Sequence, residues 1–214
     1  MFFKLLNEGL GNHANNHQIH VPKITIKEGA SLNRTIQNGS QGWNILFRGG
    51  STIESFENKG TISSSNKVDT VYLFTDEQTK NGNSNGGQTV VKNFTNNGTI
   101  ESKDNNAAVR LQGAKIETFK NEKLISATGN AIAIKIERKG KNGNGYDGSI
   151  ETFINEGTIK AAGQGIGLTN ATITNFTNSG TIKASNNNAV YLKESTIETF
   201  INEPHWGHWY SKLK

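Results

Sequence analysis

The chain contains no cysteine, which excludes a disulfide framework and any thiolate metal site and suits passage through an oxidising compartment without mispairing. No apolar run is long enough to cross a membrane as a helix. Apolar stripes at helical spacing sustained over about ten residues are also missing, which excludes a helical repeat. Neither a Ser/His/Asp arrangement nor a Walker-type loop nor a dinucleotide fingerprint occurs. Hydrophobic residues make up only 33% of 214 positions, thin for one compact globule but ordinary for a solenoid whose coils bury a narrow central stripe. The opening Met1–Leu6 is too short for the apolar region of a signal peptide, and Asn7-Glu8-Gly9 follows it without a small-residue cleavage site.

What is present is a repeat. An apolar residue, two spacers, Phe, one spacer and Asn return six times, as Ile53…Phe56…Asn58, Val91…Phe94…Asn96, Ile116…Phe119…Asn121, Ile150…Phe153…Asn155, Ile173…Phe176…Asn178 and Ile197…Phe200…Asn202. The Phe-to-Phe steps are 38, 25, 34, 23 and 24 residues, so the unit is short and two units carry insertions. Each unit holds two further apolar clusters. One ends at Ile62, Ile100, Ile125, Ile159 or Ile182; the other alternates, as Val71/Leu73, Val109/Leu111, Ile132/Ile134, Ile166/Leu168 and Val190/Leu192. Short clusters of Ile, Val, Thr and Phe between Asn, Gly and Ser read as strands and turns. Three strands per turn of about 24 residues predict an all-β parallel β-helix; the Leu-x-x-Leu-x-Leu frame of a leucine-rich repeat is absent. The expected organisation is an irregular N-terminal segment or cap (1–23), a β-helix (24–203), and an aromatic tail (204–214) that reads either as a cap or as a truncated end.

In such a stack like residues lie about 4.8 Å apart. The six Phe are expected to form one interior column. The six Asn are placed at a turn, tolerating the left-handed conformation and hydrogen-bonding to the coils above and below. Gly60, Gly98, Gly157 and Gly180 follow two residues later as turn formers, and Lys123 in that series predicts a locally different turn or mild strain. A degenerate first coil is traced through Ile24, Ile26, Ile36, Trp43 and Ile45 to Ile53, for a rod about 30 Å long.

Few residues suggest chemistry. Glu54, Lys92, Glu117, Glu151, Thr174 and Glu198 should line one outer face, with Glu117 beside Glu151. Paired carboxylates could serve glycoside hydrolysis or hold a cation; the copying of Ile-Glu-Thr-Phe from coil to coil and the interposed Lys92 favour a solvated, ion-paired surface. The insertions at 75–87 and 137–148 fall at the same corner, between the second and third strands, about 10 Å apart. They read either as a binding edge, carried by Lys80, Asn83, Asn85, Arg138, Lys139, Lys141, Tyr146 and Asp147, or as solvated loops. His13, His17 and His20 lie in Asn-rich sequence that forms helix poorly, so no metal site is expected; His205 and His208 alternate with Trp206 and Trp209 as packing residues. The net charge of +5 is scattered, which argues against nucleic acid as a partner. No cofactor and no catalytic residue is expected.

The runs Phe153-Ile-Asn-Glu-Gly-Thr-Ile-Lys-Ala161 and Phe176-Thr-Asn-Ser-Gly-Thr-Ile-Lys-Ala184, with Ala189-Val-Tyr-Leu192 after them, resemble the passenger repeats of Gram-negative autotransporters, especially the vacuolating-cytotoxin-like outer-membrane proteins. The resemblance covers about residues 36 to 203. It implies a right-handed parallel β-helix, secreted or displayed at the outer membrane, acting in adhesion or virulence on a host cell-surface protein or glycan. It also implies further coils and a translocator barrel in a longer parent. No catalytic residues carry over. The alternative is a β-helical polysaccharide lyase or glycoside hydrolase.

Overall fold

A computed structural model of the chain describes residues 3–5, 20–35, 42–75, 87–140 and 145–203. Among these residues there is no helix, and all strands pair in parallel within three sheets. Sheet I carries the Ile-x-x-Phe phrase: Thr52–Asn58, Val90–Asn96, Lys115–Asn121, Gly148–Asn155, Ala171–Asn178 and Thr196–Asn202 follow one another, with His20–Val21 and Ile24–Ile26 both pairing to the first. Sheet II stacks Ser31–Thr35, Thr61–Ser65, Thr99–Ser102, Leu124–Ala127, Thr158–Ala161 and Thr181–Ala184. Sheet III stacks Phe3–Leu5, Gly42–Arg48, Val68–Phe74, Val109–Gln112, Ile134–Glu137, Ile166–Thr169 and Val190–Lys193. The chain visits I, II and III in turn and then repeats. This is a parallel β-helix with about three strands per coil.

The registers place repeated residues directly over one another. Phe56, Phe94, Phe119, Phe153, Phe176 and Phe200 are consecutive partners, and the rings are 4.7, 4.8, 4.8, 4.6 and 4.9 Å apart between centroids. The first five are fully buried, within one continuous apolar spine that also takes in Ile62, Ile100, Ile125 and Ile159 from sheet II and Val71, Val109, Ile134 and Ile166 from sheet III. Phe200 departs from the expected interior column: it is 52% exposed, because no described strand pairs over Thr196–Asn202. Below Phe56 the position is taken by Ile24, and Leu32 lies under Ile62, so the degenerate first coil stacks in register. Ile36 lies outside the described residues. Trp43 is opposite Asp69 and is not part of the spine.

Four expectations need correction. In the second cluster of the third coil the stacked pair is Ile134 and Ile136, opposite Val109 and Leu111, and not Ile132 and Ile134. The run Ile132-Ala133-Ile134-Lys135-Ile136 offers two frames on the same face, and the bond from Val109 N–H to Ala133 O, at 3.0 Å, selects the later one. Strict alternation also fails inside sheet I, where the buried residues Ile53 and Phe56 are three apart and both Glu54 and Ser55 are only partly covered. The asparagines are not left-handed turn residues. Asn58, Asn96, Asn121 and Asn155 end their strands fully buried, because each carboxamide donates to a like partner on the next coil and each oxygen accepts in turn, that of Asn58 from the Gly60 N–H.

The glycines give the fourth correction. None of Gly60, Gly98, Gly157 and Gly180 has a positive φ; glycine is needed there for closeness. A Cβ on Gly98 would lie 2.1 Å from the carbonyl oxygen of Gly60, and one on Gly180 would lie 2.1 Å from that of Gly157. Lys123 breaks the series without a left-handed turn. The backbone bonds on its two sides become unequal, 3.1 Å from Leu124 N to Gly98 O and 2.6 Å from Thr158 N to Lys123 O, against 2.9 Å at Thr99 and Thr181. The side chain displaces its own coil without changing the turn.

Candidate functional site

The two insertions leave the helix at one corner, between sheets III and I, as the sequence places them. Thr75 and Gly87 bound the described part of the first; Lys80, Asn83 and Asn85 lie outside the described residues, as does Lys141 of the second. The neck of the first is closed by Thr89, whose N–H donates to Thr75 Oγ1 at 3.0 Å and whose hydroxyl donates to Phe74 O at 2.8 Å. At the base of the second, Lys139 and Tyr146 exchange antiparallel backbone bonds of 2.9 Å, and Arg138 pairs with Asp147 at 3.1 Å. This short ladder holds Arg138, Lys139, Tyr146 and Asp147 together. Gln88 then ties the two insertions across the intervening coil, donating from Nε2 to Gly113 O at 3.0 Å and to Asp147 O at 3.2 Å. Gly113 is required at that crossing, since it has φ +69° and its Cβ would meet the Lys139 Cβ at 2.7 Å.

Lys139 does not project into solvent from this base. Its ammonium lies 5.0 Å from the centre of the Phe74 ring on the outer face of sheet III, and that face carries a cluster of aromatic rings and charged side chains. Tyr72 sits between Trp43 and Phe74, with ring centroids 6.4 and 5.6 Å away. Arg110, one coil above Tyr72, lays its guanidinium 5.0 Å from the Tyr72 ring centre. Arg48 lies 5.6 Å from the ring of Phe74. Cations over ring faces are held there by the ring quadrupole. Trp43, Tyr72, Arg110, Gln112, Asp69 and Lys67 line a groove of about 390 Å³.

Arg110 is the electrostatic centre of the groove. It pairs with Asp69 at 3.1 Å and with Glu137 at 2.5 Å; Asp69 also accepts the Ala107 N–H at 3.0 Å, and Glu137 meets Lys135 at 2.7 Å. Burial raises the Asp69 pKa and Arg110 pulls it back, leaving it above the ordinary carboxylate value. Burial by itself lowers the Arg110 pKa, but Asp69 and Glu137 outweigh it and the guanidinium is held charged. Burial also raises the Tyr72 phenol well beyond its usual range, and its hydroxyl donates to Gln112 Oε1. The sequence reading missed this cluster. Its members stand on different coils, and their one sequence signal is that Tyr72 and Arg110 follow Val71 and Val109 at an outward position.

On the outer face of sheet I, Glu54 and Glu151 are met by cations, and a further lysine bridges two glutamates just past the strand ends. Lys92 binds Glu54 at 2.9 Å, Lys115 binds Glu151 at 2.5 Å, and Lys120 bridges Glu122 at 2.7 Å and Glu156 at 3.1 Å. Glu117 and Glu151 do come to neighbouring coils, flanked by the partners Ile116/Ile150 and Thr118/Thr152. Pairing with Glu54, then with Glu117, raises the Lys92 pKa. Among the described residues no group of three or more His, Cys, Asp and Glu could hold a metal ion; His20 is 3.6 Å from Glu54, while His13, His17, His205 and His208 lie outside the described residues. Compared with known proteins, this parallel β-helix matches no family model, no curated protein and no solved structure.

Proposed function

We propose that the chain is a segment of a secreted or surface-displayed autotransporter passenger, acting as a structural and host-binding module. The observation that carries this reading is the junction at Gln88: a uniform, ion-paired rod presents two insertions at one corner and joins them there. Regular coils stack to give reach, and insertions confined to one edge give recognition. Host-cell surface protein or glycan is the partner class, and further coils with a translocator barrel belong to the parent. The autotransporter assignment rests on the repeated phrases from Phe153 to Leu192.

Deleting 76–86 and 138–147 together is expected to leave the far-ultraviolet circular dichroism unchanged and to abolish binding to cultured host cells; undiminished binding removes the insertions from the account. The lyase or hydrolase alternative is a class that also uses β-helices; its candidate carboxylates are Glu117 and Glu151, and Lys115 already occupies Glu151. Product release from acidic or neutral glycans that is lost in Glu117→Gln or Glu151→Gln would establish it instead.

A further inference from the structure

The geometry points to a binding site for an anionic oligosaccharide in the groove over sheet III, between Trp43, Lys67 and Gln112, beside the base of the second insertion. Its volume of about 390 Å³ falls in the range of small-ligand sites. The inference rests on reading the chain as a binding module and adds a ligand class and a place distinct from the insertion tips.

Three observations converge on that class. The first is the division of labour among the rings. Arg110 lies over Tyr72, and Arg48 and Lys139 lie over Phe74, while no described cation lies over Trp43. One partly exposed indole suits the apolar C–H face of a sugar ring. Successive nucleobases need a row of open ring faces, and the faces of Tyr72 and Phe74 are taken.

The second is charge. Both carboxylates of the cluster are spent, Asp69 on Arg110 and the Ala107 amide, Glu137 on Arg110 and Lys135. Lys67 is exposed and, among the described residues, no carboxylate pairs with it. The surplus is therefore cationic and sits at the groove's edge. Gln112 accepts from the Tyr72 hydroxyl through Oε1, which leaves the two N–H groups of its Nε2 as donors, and Arg110 engages only part of its five-donor fork in its ion pairs. Fixed amide and guanidinium donors suit hydroxyl, carboxylate and sulfate oxygens alike.

The third is backbone strain. Asn66 and Lys67 both lie in the left-handed region, at φ +61° and +63°; asparagine tolerates that conformation and its N–H donates to the Asp104 carboxylate, whereas lysine is disfavoured there. Glycine would serve the turn better. Strain of this kind concentrates at ligand-binding sites, and here it holds Lys67 at the rim of the groove.

The purified full chain is titrated calorimetrically with a heparin-derived tetrasaccharide, tetragalacturonate, cellotetraose and a short oligothymidylate. Saturable binding of one or both anionic tetrasaccharides, with none of cellotetraose, is expected, and which one binds tells sulfate from carboxylate recognition. Lys67→Gly relieves the strained turn, so it should melt no lower than the parent yet bind about tenfold more weakly. Trp43→Ala should weaken binding similarly. No binding of either anionic tetrasaccharide, undiminished binding in Lys67→Gly, or tighter binding of the oligothymidylate overturns the site. None of these results bears on the insertion-dependent cell binding, which stands or falls by its own deletion experiment.

Discussion

Asn121 donates from Nδ2 to Oδ1 of Asn155 at 2.8 Å while its own Oδ1 accepts from Nδ2 of Asn96, also at 2.8 Å. The same direction holds at every step from Asn58 to Asn202, so six carboxamides form one oriented string along the rod. Adjacent links polarise one another in a medium from which water is excluded.

Asn121→Ala leaves a buried donor on Asn96 and a buried acceptor on Asn155, which is expected to cost about 2–4 kcal/mol in urea unfolding. Asn121→Asp discriminates further. A carboxylate accepts from Asn96 but repels Asn155 Oδ1, so only its protonated form completes the string. Its folded-state pKa must then lie above the unfolded value of about 3.9, and stability must fall as pH rises through that folded-state value. Equal stability of this variant near pH 4 and pH 7 would remove the directional string from the account.

The phenylalanine column predicts a gradient along the rod. Phe119 lies between Phe94 and Phe153 with interplanar angles of 10° and 8°, and Phe119→Ala should lose about 3–5 kcal/mol. Phe200, 52% exposed, should lose about 1 kcal/mol on the same change. Similar losses at the two positions, measured by chemical denaturation, would contradict the stacking order.

Glycine acts in two ways here, and substitution separates them. Gly98→Ala places a methyl 2.1 Å from the Gly60 oxygen, so two coils must part, at about 2–3 kcal/mol. Gly29 has φ +76° and nothing within 4 Å of its Cβ position, so Gly29→Ala meets only the left-handed penalty of about 1 kcal/mol. Thermal melts of the two variants should rank in that order.

Tyr72 predicts an alkaline transition. Burial raises its pKa, opposed by Arg110 and assisted by Asp69 and Glu137. With the folded pKa above the unfolded value of about 10, the phenol's contribution is fully present below about pH 10 and is lost as pH rises above it. Stability measured between about pH 8 and pH 11 should fall more steeply for the parent than for Tyr72→Phe; parallel curves would refute the burial argument.

The repeat was legible because each recurring residue answers a requirement that every coil meets separately. Phe119 and Asn121 occupy the same surroundings as Phe94 and Asn96, so their spacing announces the stack before any coordinate is known. Where a segment satisfies two frames equally, as Ile132 to Ile136 does, local pattern cannot choose, and pairing with Val109 does. The glycine series shows a different limit. Its residues recur visibly, yet the reason is the nearness of the coil below, which the local sequence does not contain.

The Trp43, Tyr72, Arg110 and Glu137 cluster left little to read beyond the outward positions of Tyr72 and Arg110. Its members stand on four different coils, and their meeting depends on how far each insertion displaces the count between strands. By itself the amino-acid sequence determined that this protein is a parallel β-helix with an aromatic and aliphatic spine, because stacking copies each inward residue onto its own kind about 4.8 Å away. Only the tertiary structure decided which outward residues became neighbours, because the outer face has no repeated requirement to meet and its contacts follow from register and turn length alone.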